Sequence, residues 1–176
     1  MKKLMFPCVI LLLGLIAGPV VAQTDAEVTN LQEKANRHLE IKMPGWKHQH
    51  GEPIQGSGGV LVDFWQFEKR KVKIRVIPYA SGRIAKEAFD EFKKYEPDRE
   101  ELKGFGDDAY SWGYALSNVT FRRGRFIVYV SSYAAVELDP DARTLTPEQT
   151  NQRQRAEMRK WSKEFAKHMA TAIDLP

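Results

Sequence analysis

The sequence predicts an α+β fold, an antiparallel sheet of two hairpins packed with helices as a two- or three-layer sandwich. Three observations carry this. Apolar residues recur at alternate positions in Val72, Ile74 and Val76 and again in Phe126, Val128 and Val130; each run follows a second β-rich run across a short charged turn; and apolar stripes of helical period lie between and after the two pairs. Runs joined by tight turns pair antiparallel, and a helix with one apolar stripe must bury it against a sheet face.

Ahead of the domain, residues 1–22 read as a cleaved signal peptide. Lys2 and Lys3 form a positive start, residues 4–16 are apolar apart from Pro7, Cys8 and Gly14, and Val20, Val21 and Ala22 offer compact residues before Gln23. A membrane-spanning helix wants about 20 predominantly apolar residues, and here Gly14, Gly18 and Pro19 interrupt the run. Residues 23–176 are predicted to form a single α+β domain. No linker or composition shift divides them, and 176 residues less 22 leaves 154, enough for one ordinary core.

Within that domain, Thr24 and Glu27 have capping-box spacing and Val28, Leu31, Ala35 and Leu39 follow at helical intervals, predicting a helix over 25–41 that Pro44 and Gly45 stop. Residues 45–59 are polar and turn-rich, a loop with room for one short strand and with Trp46 as its one large apolar side chain. Residues 60–68 form the first strand of a hairpin and 68–71 its charged tip; Lys71, Lys73 and Arg75 give the second strand a wet face. Ser81 caps a helix whose Ile84, Ala85, Ala88, Phe89, Phe92 and Tyr95 share one side, ending before Pro97. Residues 118–122 and 125–133 form the second hairpin around Gly124. Thr146, Pro147 and Gln149 start the last helix, with Met158, Trp161, Phe165, Met169 and Ala172 as its buried stripe; residues 151–157, polar all round, are expected to project into solvent.

Charge and cysteine content exclude several function classes. The chain carries 27 Lys+Arg and 23 Asp+Glu, and loss of Lys2 and Lys3 leaves 25 against 23, a mature charge of +2. That balance lacks the concentrated basic footprint of a nucleic-acid binder. Cys8, the single cysteine, sits near the start of the apolar run rather than behind it, so the mature chain has neither a disulfide nor a lipid attached there. The expected location is periplasmic or secreted, with no stable membrane anchor after cleavage.

Few residues offer chemistry. His48 and His50 put two imidazoles on one side of an extended segment, with Glu52 nearby and His38 within reach only if the fold brings it there. Structural and catalytic zinc sites use three or four protein ligands, so this pair is a candidate metal grip or an exposed polar loop, and no resident cofactor is predicted. His168, on the last helix, reads as an edge histidine. Acyl transfer lacks a Gly-x-Ser-x-Gly elbow and a mature cysteine, and Ser57 in the run Gly56, Ser57, Gly58, Gly59 has neither an assignable base nor a Walker ending. Asp63, Asp107, Asp108 and Glu137 could supply an acid and a base for glycoside hydrolysis, although adjacent aspartates more often form turns. Arg122, Arg123 and Arg125 around Gly124 suit either an anion or a solvated turn. Asn118, Val119 and Thr120 match a glycosylation sequon. Tyr110, Trp112 and Tyr114 alternate with small residues, so in one strand all three rings would stand in a row, stacking on sugar rings or forming the core face of an edge strand.

One stretch carries a resemblance. Leu102, Lys103, Gly104, Phe105, Gly106, Asp107, Asp108, Ala109 and Tyr110, followed by a strand and the Arg122, Arg123, Gly124, Arg125 turn, resemble a pattern of bacterial secreted proteins and lipoproteins that often look like the Mog1/PsbP superfamily. It spans about thirty residues. The resemblance implies an antiparallel sheet sandwiched by helices in mostly non-enzymatic proteins, and it transfers no functional residue; this chain departs from the lipoprotein members in having no cysteine after its leader. The function expected is therefore an exported, soluble, non-catalytic binding or accessory domain of the bacterial envelope, engaging an envelope protein or an extracytoplasmic ligand and not nucleic acid. The alternatives are an extracytoplasmic hydrolase acting on cell-wall glycan and a metal-binding protein using His48 and His50.

Overall fold

A computed structural model describes residues 18–51, 60–136 and 139–174, the side chains of 18–26, 142 and 143 excepted. Two antiparallel meanders are joined edge to edge. The first is β1 (Lys47–His50), β2 (Leu61–Phe67) and β3 (Arg70–Pro78); the second is β4 (Glu100–Leu102), β5 (Asp108–Trp112), β6 (Asn118–Arg123) and β7 (Phe126–Ala134). Pairing of β3 with β7 makes one seven-stranded sheet in the order β1, β2, β3, β7, β6, β5, β4. The helices are α1 (Gly18–Lys42), α2 (Gly82–Lys94) and α3 (Pro147–Asp174).

Alternation along the central strands sorts the sheet into two faces. Val72, Ile74, Val76, Phe126, Val128 and Val130 point towards α1 and α3 in the main core, with Leu39, Phe165 and Met169 above them. The intervening Ile127 faces Ala85 and Phe89 of α2, together with Tyr110. The predicted sandwich thus has three layers, and α2 packs on β6 and β7 while α3 runs over β6 and β7 with α1 beside it. Complete burial of an aromatic such as Phe89 or Phe165 contributes about 1.5–3 kcal/mol.

Most local signals act as read. Ser81 accepts from Ile84 N–H at 3.3 Å to cap α2, and Thr146 and Gln149 close a reciprocal capping box at 2.8 and 3.3 Å. Two readings are corrected and one strand is new. The first helix begins at Gly18 rather than at 25, because Pro19 is tolerated in a first helical turn and the next residues contain no breaker; Thr24 is inside it. Residues 151–157 do not simply face solvent: Arg153 pairs with Asp141 at 2.8 Å, Gln154 donates to Ala134 O at 2.8 Å, and Glu157 meets Arg70 at 3.2 Å. The segment after Pro97 contains an edge strand, β4, too short and acidic to show in the pattern. Residues 1–17 of the expected leader lie outside the described residues. No helix among the described residues is long and apolar enough to cross a membrane.

Candidate metal centre

The first edge of the sheet gathers the chemistry. Trp46, just before β1, is buried and meets Trp161 and Phe165 of α3 edge-on at ring distances of 5.1 and 4.8 Å. That anchor fixes the start of a four-residue strand whose register sets His48 opposite Trp65 and His50 opposite Asp63. Both imidazoles therefore stand on the α1 side of the sheet, on the same face as Asp63.

Asp63 Oδ1 lies 2.7 Å from His48 Nε2 and 3.0 Å from His50 Nδ1, while Oδ2 accepts from Gln32 Nε2 of α1 at 2.8 Å. Its side chain is 6% exposed, His48 13% and His50 65%, so the carboxylate is enclosed while one coordination side stays open. Among the described residues its ion-pair partners are these two histidines. A carboxylate this enclosed needs a compensating positive charge, since an unpaired buried charge is strongly disfavoured. His48 stacks on fully buried Trp65 at 4.7 Å and meets the His50 ring at 4.4 Å, which locks its orientation.

His50 Nδ1 has two polar neighbours. It faces an acceptor, Asp63, and at 3.3 Å a donor, the Gln32 amide. With a proton on Nδ1 the ring donates to Asp63 Oδ1 while Gln32 donates to Oδ2, so both nitrogens converge on one carboxylate. A cation beside Oδ1 would meet one lone pair from each imidazole and one carboxylate oxygen. The three candidate ligand atoms lie within 4.8 Å of one another. Bonds of about 2.0–2.2 Å give tetrahedral edges near 3.4 Å, so the His–Asp contacts need to open by only about 0.4–0.7 Å. Gln32 would remain as the outer partner that orients the carboxylate.

No protein-family model matches this chain, and no solved structure matches it. Two argininosuccinate lyases, from Exiguobacterium sibiricum and Bacillus pumilus, are each 34% identical to it over 85 residues, covering 40% and 44% of this chain but only 19% and 18% of the lyases. The chain spans about a fifth of the length of these relatives. A fragmentary likeness of that extent shows no family, and the lyase activity stays with those proteins.

The remaining candidates disperse. His38 does not join the cluster; it pairs with His168 at a ring distance of 5.6 Å between α1 and α3. Burial and the nearby His38 and lysine charges hold His168 below its ordinary value, with Glu164 opposing. Glu52, Ser57 and Glu137 lie outside the described residues. The expected row of three rings is broken. Tyr110 is buried against Phe89 and Trp112 is half-buried with its indole N–H on Thr120 at 2.8 Å, but the strand ends at Gly113. There φ is +73° and any side chain would collide with Asn118. Tyr114 is thrown to the opposite side, exposed, where its hydroxyl accepts from Arg155 of α3 at 3.2 Å.

The arginine turn is internally satisfied. Asp107 accepts from Gly124 N–H and from Arg123, both at 2.9 Å, and Arg122 reaches Asp107 and Asp108 at 2.8 Å each. Burial works against the Asp107 charge, but the Gly124 N–H and the two guanidinium groups outweigh it and hold the carboxyl below the usual carboxylate range. Arg125 pairs with Glu27 at 2.6 Å. These residues clamp the hairpin to the turn before β5. The essential residue that the sequence underplayed is Asp63, read there only as a possible acid. Its signal was its parity: it shares the inward face of β2 with Leu61 and Trp65, where a carboxylate requires a partner.

Proposed function

We propose that this chain is an exported, non-catalytic binding domain that holds a divalent transition-metal ion through His48, His50 and Asp63. The observation that carries the reading is the enclosed Asp63 carboxylate, whose ion-pair partners among the described residues are two imidazoles that converge on one of its oxygens. Two nitrogens and one oxygen suit zinc, copper or nickel better than magnesium or calcium, which prefer all-oxygen shells. The half-open His50 side leaves room for water or a group from a partner as a further ligand.

Support for binding over glycan hydrolysis comes from the carboxylates themselves: Asp107 and Asp108 are held by arginines, and Asp63 is held by imidazoles. Export rests on the leader-like residues 1–22, and a periplasmic or secreted location follows from it. Kinship with Mog1/PsbP-like proteins belongs to the same proposal, supported by a helix-flanked antiparallel sheet. Calorimetric titration of the metal-stripped protein with zinc and copper tests the reading. One tight site is expected, lost in the His48→Ala/His50→Ala double variant; equal binding by both proteins would overturn it.

A further inference from the structure

The same two strands that hold the metal ligands on one face present a different surface on the other. α2 covers the sheet over β6 and β7, and among the described residues no helix covers the corresponding face of β1, β2 and β3. A cleft of about 830 Å³ lies there, lined by Lys47, Gln49, Phe64, Gln66, Glu68 and Lys71 and bordered by His48 and Trp65 at the β1 edge, within the roughly 300–1,000 Å³ typical of ligand sites.

Its chemistry is one-sided. Lys71, Lys73 and Arg75 stand at alternate positions on β3, and their cross-strand neighbours on this face are Gln66, Phe64 and Val62 on one side and Tyr133, Ser131 and Tyr129 on the other. None of these is acidic. Lys73 lies 5.6 Å from the centre of the Phe64 ring and Arg75 4.8 Å from that of Tyr129, while Lys47 and Lys71 make no ion pair among the described residues. Glu68 at the rim is already taken by Arg70 at 3.3 Å. Phe64 and Tyr133 are large rings left 41% and 52% exposed. At the far end of the cation row, Arg75 lines a second cavity of about 310 Å³ with Trp112, Tyr129, Tyr95 and one carboxylate, Glu96.

We infer that this open face binds an anionic carbohydrate. Sugar rings present flat C–H surfaces that stack on exposed aromatics, their hydroxyls bond to amides such as Gln49 and Gln66, and their carboxylates or sulfates meet the unpaired lysines. An acidic peptide would add through its backbone to the β1 edge, which no strand covers among the described residues, and would leave the rings unused. A nucleic acid would require a denser cationic track than a mature charge of +2 provides. Lys47 and Gln49 point away from His48 and His50, and of the proposed metal ligands His48 alone borders the cleft.

The test is titration of the purified protein, by fluorescence or calorimetry, with oligogalacturonate and heparin oligosaccharides, against a neutral cello-oligosaccharide, single-stranded dT12 and polyglutamate. Saturable binding of at least one anionic glycan is expected, with the neutral sugar, dT12 and polyglutamate at least tenfold weaker. Phe64→Ala and Lys71→Glu/Lys73→Glu should each weaken it tenfold or more with unchanged melting temperature, whereas His50→Ala, outside the cleft lining, should leave it intact. No binding of either anionic glycan, tighter binding of dT12 or polyglutamate, or indifference to both face variants would overturn the inference.

Discussion

Replacing Asp63 by Asn keeps the shape of the side chain and removes its charge, which makes it the sharpest perturbation of the metal centre. Oδ1 now accepts from two imidazoles and Oδ2 from Gln32. An amide offers one acceptor oxygen, so whichever way it turns, either the histidines or the Gln32 NH₂ faces an N–H. One hydrogen bond to a charged group is lost in a 6% exposed site, a cost of about 1.5–3 kcal/mol. For a domain of this size each kcal/mol lowers the melting temperature by about 2–4 °C, so a fall of about 3–12 °C is expected. Zinc at one hundred times its dissociation constant stabilises a folded protein by about 2.7 kcal/mol. The wild type should gain that stabilisation in a thermal melt and Asp63→Asn should gain almost none. An Asp63→Asn protein that melts like the wild type and responds equally to zinc would refute the role given to this carboxylate.

Three further outcomes test the frame. Arg70, 10% exposed and bonded to Asp139 at 2.8 Å, leaves that enclosed carboxylate with Arg153 at 3.4 Å as its remaining ion-pair partner among the described residues when changed to Ala; urea denaturation should show a loss of about 1.5–3 kcal/mol, and a loss under about 1 kcal/mol would mean that the pair is worth no more than an exposed one. Gly113→Ala places a side chain at φ +73° against Asn118 and should cost at least about 1 kcal/mol in a thermal melt, whereas a neutral result would show that the turn has room to relax. His168 faces His38 and Lys42 of α1 and Glu164 and Lys167 of its own helix, and burial first and the positive neighbours next keep it neutral in the folded state. The unfolded chain takes the proton first, so stability present above the ordinary value of about 6.5 is lost as pH falls from there towards the lower folded value. Urea midpoints at several pH values should show this slope, and His168→Gln should flatten it; an unaltered slope would place the titration elsewhere.

Legibility followed the strength of local signals. The central strands showed because alternate Val and Ile residues on β3 and β7 face one core, and α2 and α3 showed because their caps sit one turn ahead of clean apolar stripes. The edge strands β1 and β4 were faint, since Lys47, Gln49, Glu100 and Glu101 are exposed and have no core partner to impose a pattern. The aromatic row failed on one residue: alternation through Gly113 looks continuous, but the backbone turns there and sends Tyr114 to the α3 side. His48 and His50 were visible as a pair, while the group that unites them is thirteen residues beyond His50 and comes into contact through strand pairing. Gln32 and the cationic face of β1 to β3 required the register and, among the described residues, the absence of a covering helix there, which spacing along the chain does not encode.

The most direct measurement is anomalous X-ray diffraction at the zinc edge from crystals of the protein grown with zinc. A single strong peak about 2.0–2.2 Å from His48 Nε2, His50 Nδ1 and an Asp63 carboxylate oxygen is predicted. Peaks confined to exposed carboxylates elsewhere, with Asp63 still bonded directly to both imidazoles, would contradict the account.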